Sequence, residues 1–178
     1  MLYLLSFTAE LYELMIAMYL FIILKLVFVL VIPSSRADGI CRDGWTHHES
    51  SCYHFSHDTE PMLLASISCQ HMGGDLVEIE TAAENDFLFA KVKVLNANFW
   101  IGLSDIQEET VWLWYGSNRH LTSTGYQNWY PGEPNNNKGE ENCVNIAPDT
   151  GGQWNDIPCF SQRKYICEKK DESSEIVG

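Results

Sequence analysis

Between residues 128 and 159 the chain reads NWYPGEPNNNKGEENCVNIAPDTGGQWNDIPC. This stretch gathers Glu133, Asn135, Asn136, Glu140, Glu141, Asn142, Asn155 and Asp156 between glycines and prolines. Almost every potential ligand there is a carboxylate or carboxamide oxygen, and no histidine falls within it. Such a set suits a hard cation, which takes about six to eight oxygens at roughly 2.3–2.6 Å, and it suits calcium better than zinc. A single helix cannot hold acids interleaved with Asn and Gly in this way, whereas a loop folded around an ion can. Glu133-Pro134-Asn135 is the sharpest part. Proline readily supports a cis peptide bond, and a cis bond here would turn Glu133 and Asn135 so that both side-chain oxygens point into one site. Asn155-Asp156 closes the cage from a neighbouring strand.

The elements that must position these residues are short. Residues 44–55, with aromatic and β-branched residues among polar ones, predict a two-stranded hairpin. Thr59-Glu60-Pro61 predicts a helix start with Thr59 as cap and Pro61 in the first turn, and Gly73-Gly74 predicts its end. Leu63 and Ile67, with the Leu64–Ser68 face, recur at helical spacing. Residues 76–79 alternate as a strand. Thr81 and Glu84 form a capping box that opens a second helix over 82–95, with Phe87, Leu88, Lys91, Val92 and Leu95 on its core face. Residues 99–103 read as a buried strand whose Gly102 allows close backbone approach. Residues 111–115 read as a second aromatic strand, 118–125 as a turn-rich excursion, and 164–168 as a last strand near the first.

All six cysteines, at 41, 52, 69, 143, 159 and 167, follow an apolar run over 14–32 that is broken only by Lys25. The run reads as a secretory leader cleaved after Ala37, with small residues at Ser35 and Ala37. Met15 or Met18 is an alternative start. The rival reading is a type II anchor, in which Lys25 would cost about 2.5–3.5 kcal/mol at a helix centre. An even cysteine count after a leader predicts disulfides in an oxidising compartment, and six cysteines leave 15 pairings open. Residues 1–37 hold two acids (Glu10, Glu13) and two bases (Lys25, Arg36), so the remainder keeps 22 acids against 9 bases. That balance disfavours nucleic acid and anionic lipid as partners. No CxxC pair, HExxH motif or nucleophile–base pair stands out, which argues against a zinc protein and against an enzyme. His47, His48, His54 and His57 read as scattered surface histidines.

Taken in order, WIGL at 100–103, EPN at 133–135, Glu141, Cys143 and WND at 154–156, with Cys69 and Cys167, resemble the C-type lectin domain over residues 41–168. The resemblance implies an α+β fold of two helices packed on antiparallel sheets, a long calcium-binding loop and three disulfides. The implied pairs are Cys69–Cys167, Cys143–Cys159 and, as in the long form, Cys41–Cys52. With the leader read over 1–37, the resemblance places a carbohydrate-recognition domain over 38–170, and the residues after it read as a flexible acidic tail (171–178). It makes Glu133, Asn135, Glu141, Asn155 and Asp156 the Ca2+ and carbohydrate ligands, Glu133 and Glu141 accepting sugar hydroxyl protons and Asn135 and Asn155 donating. Asp105, Glu109, Asn136, Glu141 and Asn142 fall where relatives carry an auxiliary calcium site. Many members have Asp where Asn142 stands, so this site carries less charge. EPN implies sugars with equatorial vicinal hydroxyls, namely mannose, fucose and N-acetylglucosamine, bound by a secreted protein in innate immunity. Tyr130 or Trp154 could stack on a pyranose, Trp154 being the better core candidate. Single-site binding should be weak and useful binding multivalent, which would favour a homo-oligomer, although no heptad or collagen-like segment encodes one. The alternative is a protein-binding domain with a structural calcium.

Overall fold

The computed structural model describes Met15, Ile16, Met18 and Tyr19, which are helical, and residues 41–171. The leader and anchor readings turn on residues outside these, as does the tail over 172–178. No helix among the described residues is long and apolar enough to cross a membrane.

The opening hairpin is β1 (Thr46–His48) and β2 (Ser51–Phe55), stapled by Cys41–Cys52. β2 pairs antiparallel along β9 (Lys164–Lys170), so the last strand lies on the second strand of the hairpin. β3 (Asp75–Leu76) takes the other edge of β9. β4 (Phe99–Ser104) pairs in parallel with the start of β9 and antiparallel with β5 (Leu113–Trp114) and β7 (Cys143–Ile146). β6 (Arg119–His120) continues from β5, and β8 (Trp154–Ile157) from β7. Apart from the β4–β9 pair the ladders are antiparallel. Gly102 permits the crossing of β4 over β3: its N–H donates to the Val77 carbonyl at 2.8 Å, and a Cβ there would lie 2.8 Å from the Leu76 carbonyl oxygen.

Helix α1 (Met62–His71) departs from the sequence expectation in two ways. Thr59 is not its cap, because Glu60 is held extended by paired backbone bonds to Arg163 and the helix begins only after Pro61. Its buried face is Met62, Ala65, Ser66 and Cys69, while Leu63, Leu64 and Ile67 face solvent. Cys69 fixes this rotation by its disulfide to Cys167 on β9. Helix α2 (Ala82–Leu95) keeps the expected bounds, and Thr81 Oγ1 accepts from the Glu84 N–H at 3.1 Å. The Glu84 carboxylate, however, reaches back to the Glu80 N–H at 2.9 Å, one residue beyond the Thr81 N–H that a capping box uses. Leu88 and Val92 are core, but Lys91 and Leu95 are exposed; the inward stripe runs through Glu84 and Asn85 instead.

The aromatic strand is shorter than expected, since Val111 is turned by its N–H bond to the Glu108 carbonyl. β6 lies inside the stretch read as an excursion. Lys170 belongs to β9, and the Asp171 N–H donates to the Ser50 carbonyl at 2.8 Å, so the first residue of the expected tail is part of the fold. One core holds Leu88, Val92, Phe99, Ile101, Val144 and Trp154 between α2 and the sheet. The other packs Met62, Ala65, Trp100, Tyr165 and the Cys69–Cys167 bridge beneath α1. His48 is half-buried rather than a free surface histidine: it stacks on Phe87 with ring centroids 4.0 Å apart.

Candidate functional site

The candidate site is built from the β7–β8 ladder and the loop that precedes β7. Val144 pairs with Asp156 and Asn145 with Asn155 across the ladder, and the Cys143–Cys159 bridge closes its open end. Trp154 anchors β8 from below. It is fully buried, and its indole Nε1 donates to Asn85 Oδ1 on α2 at 2.9 Å. Asn85 Nδ2 and Asn128 Nδ2 both donate to the Gly152 carbonyl, at 3.2 and 3.0 Å. This support was not read from the sequence, although an Asn on the Leu88–Val92 face of a helix is a signal for it.

The Glu133–Pro134 peptide bond is cis. Asn135 Nδ2 donates to Glu133 Oε2, and the Asn155 amide, turned so that its nitrogen faces Glu133, reaches Oε1 at 2.9 Å and Oε2 at 3.2 Å. Glu133 therefore sits between two amides. Asp156, fully buried, accepts the Asn135 N–H at 3.1 Å and the Asn136 N–H at 2.8 Å. Burial, and then the Asp156 carboxylate beside it, push the Glu133 carboxyl above the usual range; the Asn135 amide opposes this and Glu141 adds to it. Glu141 joins the loop rather than the amide pair: its Oε2 accepts the Asn137 N–H at 3.0 Å.

Asn136 connects this group to the second set of acids. Its Oδ1 accepts the Glu141 N–H at 3.2 Å, and its Nδ2 donates to Glu109 Oε1 at 2.6 Å. Asp105 is buried, bonded through Oδ2 to the Thr110 N–H and through its own N–H to the Asn142 carbonyl. Burial raises the Asp105 carboxyl against the Thr110 bond, and Glu109 and Asp156 add to the rise. Glu109, Glu133, Asn135, Asn136, Glu141, Asn155 and Asp156 thus share one hydrogen-bonded network; Asp105 and Asn142 are bonded to each other beside it, and Glu140 is exposed.

Among the described residues no group of three His, Cys, Asp or Glu forms a ready metal cluster; carboxylates and amides share the donor set. That set suits calcium, being all oxygen. Two of its members, Asp105 Oδ1 and Asn142 Oδ1, are buried acceptors without a hydrogen-bond donor. An oxygen in that position gains from a cation what it lacks from a donor.

Residues 58–169 match the family model for the lectin C-type domain, and the chain belongs to the C-type lectin family. It is a lectin-family domain and not an enzyme. The chain is 37% identical over 142 residues to C-type lectin domain family 4 member E of Mus musculus, a match covering 79% of this chain and 65% of that protein. It is 34% identical over 146 residues to the low affinity immunoglobulin epsilon Fc receptor of Mus musculus, covering 82% and 42% respectively. The chain thus spans less than two thirds of the length of either relative. The crystal structure of the cow C-type carbohydrate-recognition domain of CD23, in the presence of GlcNAc2Man3 oligosaccharide, has a TM-score of 0.66. It shares 33% identity and covers 73% of this chain and 95% of its own.

Proposed function

We propose that the domain is a calcium-dependent lectin for sugars with equatorial vicinal hydroxyls: mannose, fucose and N-acetylglucosamine. In this reading it is extracellular and secreted, and it recognises glycans on microbial or other cell surfaces. The observation that carries the reading is the placement of Glu133 between the amides of Asn135 and Asn155. A carboxylate can only accept a hydrogen bond and an amide nitrogen can only donate, so the pair offers each sugar hydroxyl one partner of each kind. Glu133, Asn135, Glu141, Asn155 and Asp156 would hold the calcium ion. When bound, the ion would supply coordination to two adjacent hydroxyls. Glu133 and Glu141 accept the hydroxyl protons, Asn135 and Asn155 donate to the hydroxyl oxygens, and Asp156 holds the loop on β8. Asp105, Glu109, Asn136, Glu141 and Asn142 would take an auxiliary ion, supported by the two orphaned oxygens.

The test is retention on mannose–agarose in calcium, in EDTA, and after Glu133→Gln with Asn135→Asp. Retention in calcium, release by EDTA and a switch toward galactose are expected. A protein that binds no hexose, yet melts higher with calcium, would favour a second reading in which the ion is structural and the partner is a protein, on a membrane-anchored chain. The immunoglobulin receptor among the relatives supports that reading.

A further inference from the structure

Residues 128–130 run extended beside β8: the Trp154 N–H donates to the Asn128 carbonyl at 2.7 Å, and the Tyr130 N–H donates to the Trp154 carbonyl at 2.8 Å. Side chains alternate along such a segment. Trp129 takes the inward side, its ring 5.8 Å from that of Trp154 and 4.8 Å from that of Trp112. Tyr130 is left on the other side, 42% exposed. Packing therefore accounts for Trp129 and not for Tyr130. Within residues 41–171 only one other aromatic, Phe160, is as open, and it lies beside the start of α1, where the Cys159 carbonyl accepts the Met62 N–H.

The position of Tyr130 is fixed from two directions. Its N–H is held by the residue next to Asn155, and its carbonyl accepts the Glu133 N–H at 2.9 Å. Both carriers of the central acceptor–donor pair are thus bonded to its backbone or adjacent to a residue that is. An exposed aromatic side chain whose backbone is bonded to Glu133 and to the neighbour of Asn155 can offer what a polar sugar site lacks, an apolar face. The C–H face of a pyranose, or a planar aglycone, matches it.

We propose that Tyr130 forms the floor of a second subsite, which takes the apolar face of a ring joined to the hexose held at Glu133, Asn135 and Asn155. This rests on the sugar-binding reading above. It assigns the ligand class as an oligosaccharide of two or more hexoses, or a glycoside with a flat aglycone, with the stacking ring and not the tyrosine hydroxyl making the contact.

The experiment compares methyl and phenyl α-glycosides of mannose, fucose, N-acetylglucosamine and galactose as competitors, with the full chain in calcium. For whichever sugar binds, the phenyl glycoside should win by about three- to tenfold. Tyr130→Ala should erase that preference and leave the methyl glycoside within about twofold, as for a surface substitution. Tyr130→Phe should keep the preference. A preference that survives Tyr130→Ala, or an equal loss for both glycosides, would overturn the subsite while the sugar reading stands. Failure of every glycoside to compete in the unaltered chain would overturn both.

Discussion

Asn136 hangs from Asp156: its backbone N–H donates at 2.8 Å to the Oδ2 of a carboxylate that is fully buried on β8. The other carboxylate oxygen takes the N–H of Asn135 at 3.1 Å. Through these two bonds the loop from Glu133 to Glu141 is fastened to the sheet, and Asn136 carries the connection on to Glu109 and Glu141.

Asp156→Ala should therefore release the loop as well as remove one of the calcium ligands proposed above. Hydrogen bonds to a charged group contribute roughly 1.5–3 kcal/mol each and are not additive, so a loss of about 2–4 kcal/mol is expected in urea unfolding without calcium. Amide exchange over residues 135–142 should rise together with it. Unchanged protection in that segment would show that something else anchors the loop.

Asn155→Asp places a carboxylate where an amide now stands 2.9 Å from Glu133 Oε1. Two like charges at that separation repel. The variant should be less stable than the parent in EDTA and recover with calcium. In the proposed site sugar affinity should fall at least about tenfold, because one hydroxyl would lose the donor assigned to it. Titration calorimetry with calcium and then with sugar separates the two effects; undiminished sugar binding would exclude Asn155 as a donor.

Cys69–Cys167 spans 98 residues and Cys41–Cys52 spans 11. In the loop-entropy model that difference makes the longer bridge worth roughly 2 kcal/mol more. Replacing both cysteines of each pair by Ala, and comparing denaturation midpoints, should give that order. Equal losses would mean that unfolded-state entropy is not what the long bridge contributes.

Glu84 supplies a pH dependence remote from the loop. It is buried, and burial pushes its carboxyl above the usual range, against the bonds from the Glu80 N–H and the Tyr53 hydroxyl. Burial, with Glu168 and Glu84 nearby, pushes the Tyr53 hydroxyl up, so it stays a donor, at 2.7 Å. A raised folded value means that the folded state binds the proton more tightly than the unfolded chain. Stability from this group is therefore full below the ordinary carboxylate range and is lost as pH rises through the raised value. Glu84→Gln should flatten this part of the curve, so that the variant gains on the parent from pH 4.5 to pH 7 in EDTA. A constant difference across that range would contradict it.

The rotation of α1 predicts opposite outcomes two residues apart. Met62→Ala empties a fully buried site and should cost about 2–5 kcal/mol. Leu64→Ser changes a side chain 48% exposed and should stay within about 0.5 kcal/mol. Thermal unfolding of the two variants decides it.

What the amino-acid order determines by itself is the chemistry on offer and the local punctuation. The oxygen-only donors of residues 133–156, the proline after Glu133 and the bounds of α2 are local features, and each is written in a few adjacent residues. Their partners are not. Asp156 supports Asn135 and Asn136 across 20 residues and more, and Asn85 holds Trp154 across 69. The apolar spacing of α1 could not say which side faces in, because both sides carry apolar residues and none of its residues is charged. The Cys69–Cys167 bridge and the sheet beneath settled it. β6 was invisible because two residues carry no period. The tertiary structure decided the hydrogen bonds by which Glu133 stands between two amides, and that of Trp129 and Tyr130 it is Tyr130 that stays exposed. Such relations depend on strand register and long-range hydrogen bonds, which no short run of sequence contains.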